Sequence, residues 1–404
     1  MENCGQSEAS SYWFEGIAYQ FFRPSELPEE VEIVVIGGGL LGVATGYWLA
    51  RLGTNVLLLE SSYLGAGASG ANAGLMLPAS CALEDPVLVE SVLREEGIEA
   101  EYSVSGHMAL ATSTEVWEAF CVEATRRKEH KGAFDLYVLD RSECEDVLKM
   151  PISQAFLGGR WFPGGRLVHP LKLLYGLAHA SVKRGLGIST QTPVKQVCRQ
   201  GKKLIVRTSR GDVASTFVIY ACSGHIGDIV PELRAKIRLV PVQVQSTAPI
   251  AAKFRPGMAV DWGTTYWRQT SDGAIVIGGD GTTFLRGHGG ALAWMPSSPA
   301  LKEFLAVAFP SLPALQIRRQ WTGVMDCLPD GRPIVGPISG RRNEWAVTGF
   351  NGHGIPLGLS IGRHVAESIL TGSYSSVLEQ FDPSRLGCLV RASQIRDQES
   401  LIAT

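Results

Sequence analysis

The sequence predicts an α/β fold: a parallel, nucleotide-binding sheet with a second domain inserted into it rather than appended. Three observations carry this expectation. A strand, a glycine-rich turn and a helix follow one another over residues 32–53, and a second strand closes the unit at 55–60. The 404 residues amount to between two and three domains at roughly 150 residues each. Stretches resembling nucleotide-binding elements stand at opposite ends of the chain, so the residues between must leave the first domain and return.

Glu32-Ile-Val-Val-Ile-Gly37 is a short β-branched run, the composition of a parallel strand buried on both faces. Leu41, Thr45, Trp48 and Leu49 then recur at helical spacing, and the helix ends near Gly53 as a C-terminal glycine requires. Asn55-Val-Leu-Leu-Leu-Glu60 is a second buried strand with an acid at its end. Ile33–Ala50 carries no charge over eighteen residues, close to the length of a membrane span. Gly37–Gly39 fall in its first third, where a spanning helix loses most from glycine, so it reads as strand, turn and helix. Further strands are expected at Lys203–Ser209, Thr216–Ala221 and Ile275–Ile277, and amphipathic helices at Leu171–Arg184 and Ser360–Leu370.

The turn is Gly37-x-Gly39-x-x-Gly42. The first glycine permits the turn, the second lets backbone approach a pyrophosphate, and the third lets helix pack on strand. Phosphate charge then meets free N–H groups at a helix N-terminus, where the macrodipole favours an anion. Glu60 closes the unit eighteen residues after Gly42, placed to accept hydrogen bonds from ribose hydroxyls, and an acid there disfavours a 2′-phosphate. The fingerprint alone serves NAD and FAD equally. Residues 65–74, Gly-Ala-Gly-Ala-Ser-Gly-Ala-Asn-Ala-Gly, form a small-residue loop whose backbone can lie against a flat ring, which a nicotinamide site does not require.

Composition removes other classes. Hydrophobic residues make up 45% and charged residues 19%, which argues against disorder. Lys plus Arg number 37 against 39 Asp plus Glu, a net charge of −2, so nucleic acid is not an expected partner. Glycine accounts for 46 residues without a Gly-X-Y period, an excess that serves turns and close backbone approaches. The eight cysteines show no C-x-x-C and no zinc spacing; no metal is expected, and they read as reduced thiols. Met1–Ser10 lacks the basic start and apolar core of a secretory signal, so a cytoplasmic protein is expected.

Further motifs appear in order along the chain: Ser11-Tyr-Trp13, Gly67-Ala-Ser-Gly-x-Asn-x-Gly74, Gly165-Arg-Leu-Val-His169-Pro170, and Thr192-Pro-Val194. Tyr266-Trp-Arg268-x-x-x-Asp-Gly273 with Gly278-Gly279, Trp321-Thr-Gly323 with Pro329-Asp330-Gly331, and Gly349-Phe-Asn-Gly352-His353-Gly354 complete the set. In these the chain resembles the FAD-dependent amine and amino-acid oxidases, the family of D-amino-acid oxidase, glycine oxidase, sarcosine oxidase and γ-glutamylputrescine oxidase. The resemblance runs from Tyr12 to about Phe381.

It implies a Rossmann-like FAD-binding domain assembled from residues 29–90, 168–228 and 330–385. An antiparallel-sheet substrate domain comes from 91–167 and 229–329, with an N-terminal arm (1–28) and a C-terminal tail (386–404). Non-covalent FAD is expected at Gly37, Gly39, Leu40, Leu41, Gly42, Glu60 and Ser61. The loop residues Ala68, Ser69, Asn72, Ala73, Gly74 and Leu75 join them, as do Val194, Gly224, Gly323, Gly352, His353, Gly354 and Ile355. A hydride equivalent would leave the carbon beside a neutral amine for the flavin, and oxygen would take the electrons to give peroxide.

Departures from the family pattern shape the substrate site. Met325 stands where glycine oxidase has the arginine that grips a carboxylate, Gly323 where sarcosine oxidases place a flavin-linking cysteine, and Val276 about where monomeric sarcosine oxidase has its oxygen-activating lysine. Asp326, shared with γ-glutamylputrescine oxidase, is either a carboxylate that holds a cationic amine or a turn residue bonded to backbone or Arg332. Arg268 is either an inward clamp walled by Tyr266 and Trp267 or an outward hairpin ion pair. His353 is either an acid–base group or a loop residue, and Trp321 reads as core. Two rivals remain: an FAD dehydrogenase that serves a quinone or carrier protein, and a non-catalytic FAD-binding assembly protein.

Overall fold

The computed structural model describes residues 11–18, 21–76, 83, 85–129, 135–279 and 299–389. Strand Glu30–Ile36 occupies the centre of the first sheet, and its last four residues are all buried, as its β-branched composition demands. It lies parallel to Val56–Leu59 on one side and to Asp212–Tyr220 on the other; Gly187–Ser189 and Glu344–Thr348 extend the parallel layer outward. Val194–Gln200 and Lys203–Thr208 form an antiparallel hairpin against the first half of Asp212–Tyr220. One sheet of eight strands is thus assembled from three separated parts of the chain.

Helix Leu40–Arg51 follows the glycine turn and packs across helix Gly354–Thr371. The crossing is close because Gly358 and Gly362 face Leu40 and Ala44: a Cβ on Gly362 would lie 2.8 Å from the Ala44 carbonyl carbon. The Trp48 indole N–H donates to the Leu359 carbonyl at 2.9 Å and ties the pair. Helix Pro170–Lys183 completes this layer, capped by His169, whose Nδ1 accepts from the Lys172 N–H at 3.2 Å.

The second sheet also has eight strands, in the order Ile317–Cys327, Arg238–Thr247, Ile275–Gly279, Thr265–Gln269, Gly257–Val260, His107–Ala111, Gly158–Phe162, Tyr137–Asp140. Its pairs are antiparallel except Gly257–Val260 with His107–Ala111, which run parallel. One face looks toward the first domain; the other buries Trp267, Ile275 and Ile277 in a separate core with Phe304 and Phe309. Among the described residues no helix is long and apolar enough to cross a membrane.

The expected strands and helices are present with shifted ends. The strand expected at 216–221 begins at Asp212, and the helix expected from Ser360 begins at Gly354.

Candidate active site

Gly37 has φ +113°, and a Cβ there would lie 2.4 Å from the Ala221 carbonyl, so only glycine fits between the two parallel strands' ends. A Cβ on Gly42 would lie 1.9 Å from the Gly37 carbonyl oxygen. The helix that starts at Leu40 has no side-chain cap from Gly39; Ser69 Oγ accepts from the Leu40 N–H at 2.8 Å. Glu60 accepts from the Gly38 N–H (2.6 Å), the Ser62 N–H (2.8 Å) and Ser61 Oγ (3.0 Å), so its carboxylate is held beside the glycine turn. Behind the turn, burial pushes the Cys222 thiol up to about 12 and keeps it inert.

The small-residue loop contains the short helix Ala68–Ala71 and is braced internally by Asn72. Its Nδ2 donates to the Ala68 and Ser69 carbonyls at 3.0 and 2.9 Å, and its Oδ1 accepts from the Gly74 N–H at 2.8 Å. Asn72 is therefore engaged with its own loop. Gly74 has φ +69°, and a Cβ there would stand 2.3 Å from the Val168 carbonyl oxygen. Strand Ile317–Cys327 lies on this loop: the Trp321 indole donates to the Ala71 carbonyl at 2.9 Å, and a Cβ on Gly323 would be 3.2 Å from Ala71 Cβ.

The register of the second sheet decides which side chains face this loop. Trp321, Val244, Gly278 and Tyr266 align across four strands on the face toward the first domain, and Arg319, Ser246, Val276 and Arg268 form the next row. Tyr266 lies over Gly278, where a Cβ would stand 2.7 Å from its ring. It is partly exposed yet hemmed in, and desolvation pushes its phenol up to about 12. Trp267 corrects the sequence reading: one position along an extended strand, it points through the sheet into the other core at 0% exposure and walls no pocket with Tyr266.

Arg268 answers to neither expected role. It points inward at 3% exposure, and Nη1 donates to the Val168 carbonyl (2.8 Å) and the Gly74 carbonyl (3.3 Å). Asp326 is likewise buried, and Oδ2 accepts from the Thr348 hydroxyl (3.1 Å) and the Gly349 N–H (2.7 Å) rather than pairing with Arg332. Its carboxylate fixes the turn at 349–353, where Gly349, Asn351 and Gly352 all have positive φ. Met325 reaches that turn, its Sδ lying 3.3 Å from where a Gly352 Cβ would be. His353 precedes the helix Gly354–Thr371, with Nδ1 3.0 Å from the Asn351 carbonyl. Its side chain is exposed, and desolvation by the groups around it holds its pKa below the ordinary histidine value.

Two helix N-termini therefore lie close together, neither capped by the side chain of its own N-cap residue, with Leu41 Cδ2 3.5 Å from the position of a Gly354 Cβ. Ile355 is buried behind them. Val194 opens its strand opposite Thr208, and Gly224 packs on Leu239, where a Cβ would stand 2.0 Å from Cδ2. Trp13 and Val168 lie in motifs that the sequence singled out, but their brace on the loop, through the Asn72 and Gly74 carbonyls, was not legible, since each contact joins residues far apart in the chain. The glycine cradle, the held Glu60 carboxylate and the two adjacent helix N-termini fit FAD.

The comparisons agree. The chain is 27% identical over 394 residues to mitochondrial dimethylglycine dehydrogenase of Rattus norvegicus, covering 90% of this chain and 46% of that protein, so it spans about half the length of that relative. It is 24% identical over 413 residues to γ-glutamylputrescine oxidoreductase of Escherichia coli K12, covering 93% and 91%. The fold superposes on glycine oxidase from Geobacillus kaustophilus with a TM-score of 0.75 at 20% identity, covering 88% of this chain and 98% of the other. Residues 32–368 match the FAD dependent oxidoreductase (DAO) family, and the chain belongs to that family.

Proposed function

We propose that this chain oxidises a C–N bond of an amine or amino acid to an imine, with electrons passing to oxygen to give hydrogen peroxide. The observation that supports it is the lie of strand Ile317–Cys327 on the small-residue loop, with Trp321 and Gly323 against Ala71, Tyr266 in the same cross-strand row as Trp321, and Met325 reaching the turn that leads into His353. FAD supplies the hydride acceptor when bound; this chain's side chains bind, orient and dry the substrate.

Tyr266 forms an aromatic wall over Gly278, and Met325 places a thioether where a carboxylate clamp would need a guanidinium. The substrate is accordingly less acidic or larger than glycine. The N-terminus of Gly354–Thr371, held by the turn that Asp326 ties down, favours negative charge developing nearby. Gly323 offers no thiol, and burial pushes the Cys327 thiol up, which supports non-covalent FAD. The imine then hydrolyses in water.

A second reading, a dehydrogenase that delivers electrons to another acceptor, is favoured by Val276, an apolar residue at 0% exposure in the cradle-facing row. The test is anaerobic titration of the FAD-loaded protein with D- and L-amino acids, N-methyl amino acids and polyamines, following loss of flavin absorbance. At least one amine should bleach the flavin, and peroxide should then match substrate consumed. Turnover only with an artificial acceptor selects the dehydrogenase; a flavin that no amine bleaches leaves an assembly role.

A further inference from the structure

We propose that Arg268, with the Trp13 ring beside it, is a positioning residue: it fixes the loop at 72–74 and sets behind it a positive charge, in contact with no carboxylate among the described residues, that favours reduced over oxidised flavin. This rests on the reading that the loop lies beside the flavin ring.

Arg268 and the N-terminal arm account for the polar groups on the back of this loop. Trp13 is 1% exposed; its indole N–H donates to the Asn72 carbonyl at 2.5 Å, and the Arg268 guanidinium carbon lies 5.7 Å from its ring centre. The Gly74 carbonyl accepts from the Val168 N–H at 3.0 Å and from Arg268 Nη1, which also reaches the Val168 carbonyl. One guanidinium thus pins the loop to the segment that leads into helix Pro170–Lys183.

Neutral donors could make those two bonds. A buried cation costs far more in lost hydration than two carbonyl contacts return, unless its charge is used. Among the described residues no carboxylate lies within 4.0 Å of Arg268, and its Nε is buried without a partner. Glu101, the acid that acts on it most, is spent on Lys172 Nζ (2.6 Å) and Ser271 Oγ (2.8 Å). Burial lowers the Arg268 pKa to about 10, so the group stays charged at neutral pH. A fixed positive charge near a flavin favours the reduced form, which carries more negative charge.

The test compares Arg268→Met, Arg268→Lys and Asn72→Ala in the FAD-loaded protein by flavin spectrum, FAD affinity and two-electron midpoint potential. Arg268→Met should shift the oxidised–reduced equilibrium at least tenfold toward oxidised flavin, about 30 mV for a two-electron couple. Arg268→Lys should recover more than half of that shift, and Asn72→Ala, which loosens the loop without moving charge, should alter the spectrum. Should Arg268→Met fail to fold, the lysine variant against wild type still reads the geometry, since it keeps the charge but its shorter side chain withdraws the donor that Nη1 sets between the two carbonyls and the planar cation beside Trp13: an unchanged spectrum overturns the positioning role. A lysine variant no better than methionine overturns the charge. A changed spectrum in Asn72→Ala beside an unchanged potential in Arg268→Met sinks this proposal alone. No change in any variant removes the loop from the flavin site.

Discussion

Tyr266, Trp267 and Arg268 are consecutive, and three different fates follow from one strand. Tyr266 walls the cradle side, Trp267 joins Phe304 and Phe309 in the opposite core, and Arg268 bonds two carbonyls. Nothing in Tyr-Trp-Arg-Gln announces which face is which, because both faces of this strand are buried and the usual polar alternation is missing. Two histidines carry a consequence for pH. Burial lowers His169 to about 4 and His107 to about 3, against about 6.5 in an unfolded chain. Each folded pKa lies below the unfolded one, so their contribution to stability is complete above pH ~6.5 and is lost as pH falls toward 4, at about 1.4 kcal/mol per pH unit for each. His169→Asn retains an acceptor for the Lys172 N–H but cannot titrate. Denaturant unfolding should show its stability falling less than wild type between pH 7.5 and 5, by about 2 kcal/mol. Parallel curves would exclude His169 as a titrating contributor.

At the scale of elements, the glycine turn was legible because its requirements are local. Gly37 needs its positive φ, and Gly42 has no room for a methyl group against the Gly37 carbonyl. Gly42→Ala should therefore overpack the strand–helix joint at a cost of about 1–3 kcal/mol. The purified variant should be colourless, and added FAD should no longer raise its unfolding temperature; a yellow variant of wild-type affinity would contradict the joint's role. The helix Gly354–Thr371 was only half legible. Its first turns hold Gly354, Pro356 and Gly358, poor formers in isolation, and they are helical here because Gly358 and Gly362 let the chain press against Leu40 and Ala44. Asp326 reads in sequence as a turn residue or an amine ligand. Its partners, Thr348 and Gly349, belong to a strand end about twenty residues on, and chain proximity alone does not reveal them.

Across the whole molecule, the N-terminal arm joins what the chain order separates. Ser11 Oγ donates to the Gly70 carbonyl, Tyr12 to Asp272 on the second sheet's hairpin at 2.7 Å, and Glu15 pairs with Arg319 at 2.6 Å. A chain lacking residues 1–18 should lose about 3–5 kcal/mol from the vacated Trp13 site alone. It should also release FAD on gel filtration; full retention of colour and of unfolding temperature would show the arm to be dispensable. By itself the sequence determined the α/β class and the phosphate cradle, because those depend on backbone freedom and spacing within some thirty residues; the choice of FAD came from the family resemblance carried by motifs along the whole chain. Only the tertiary structure decided that Arg268 pins a loop, that Asp326 ties a turn and that Trp267 leaves the pocket. Each of those depends on register between strands far apart in sequence, and a shift of one residue moves a side chain to the opposite face.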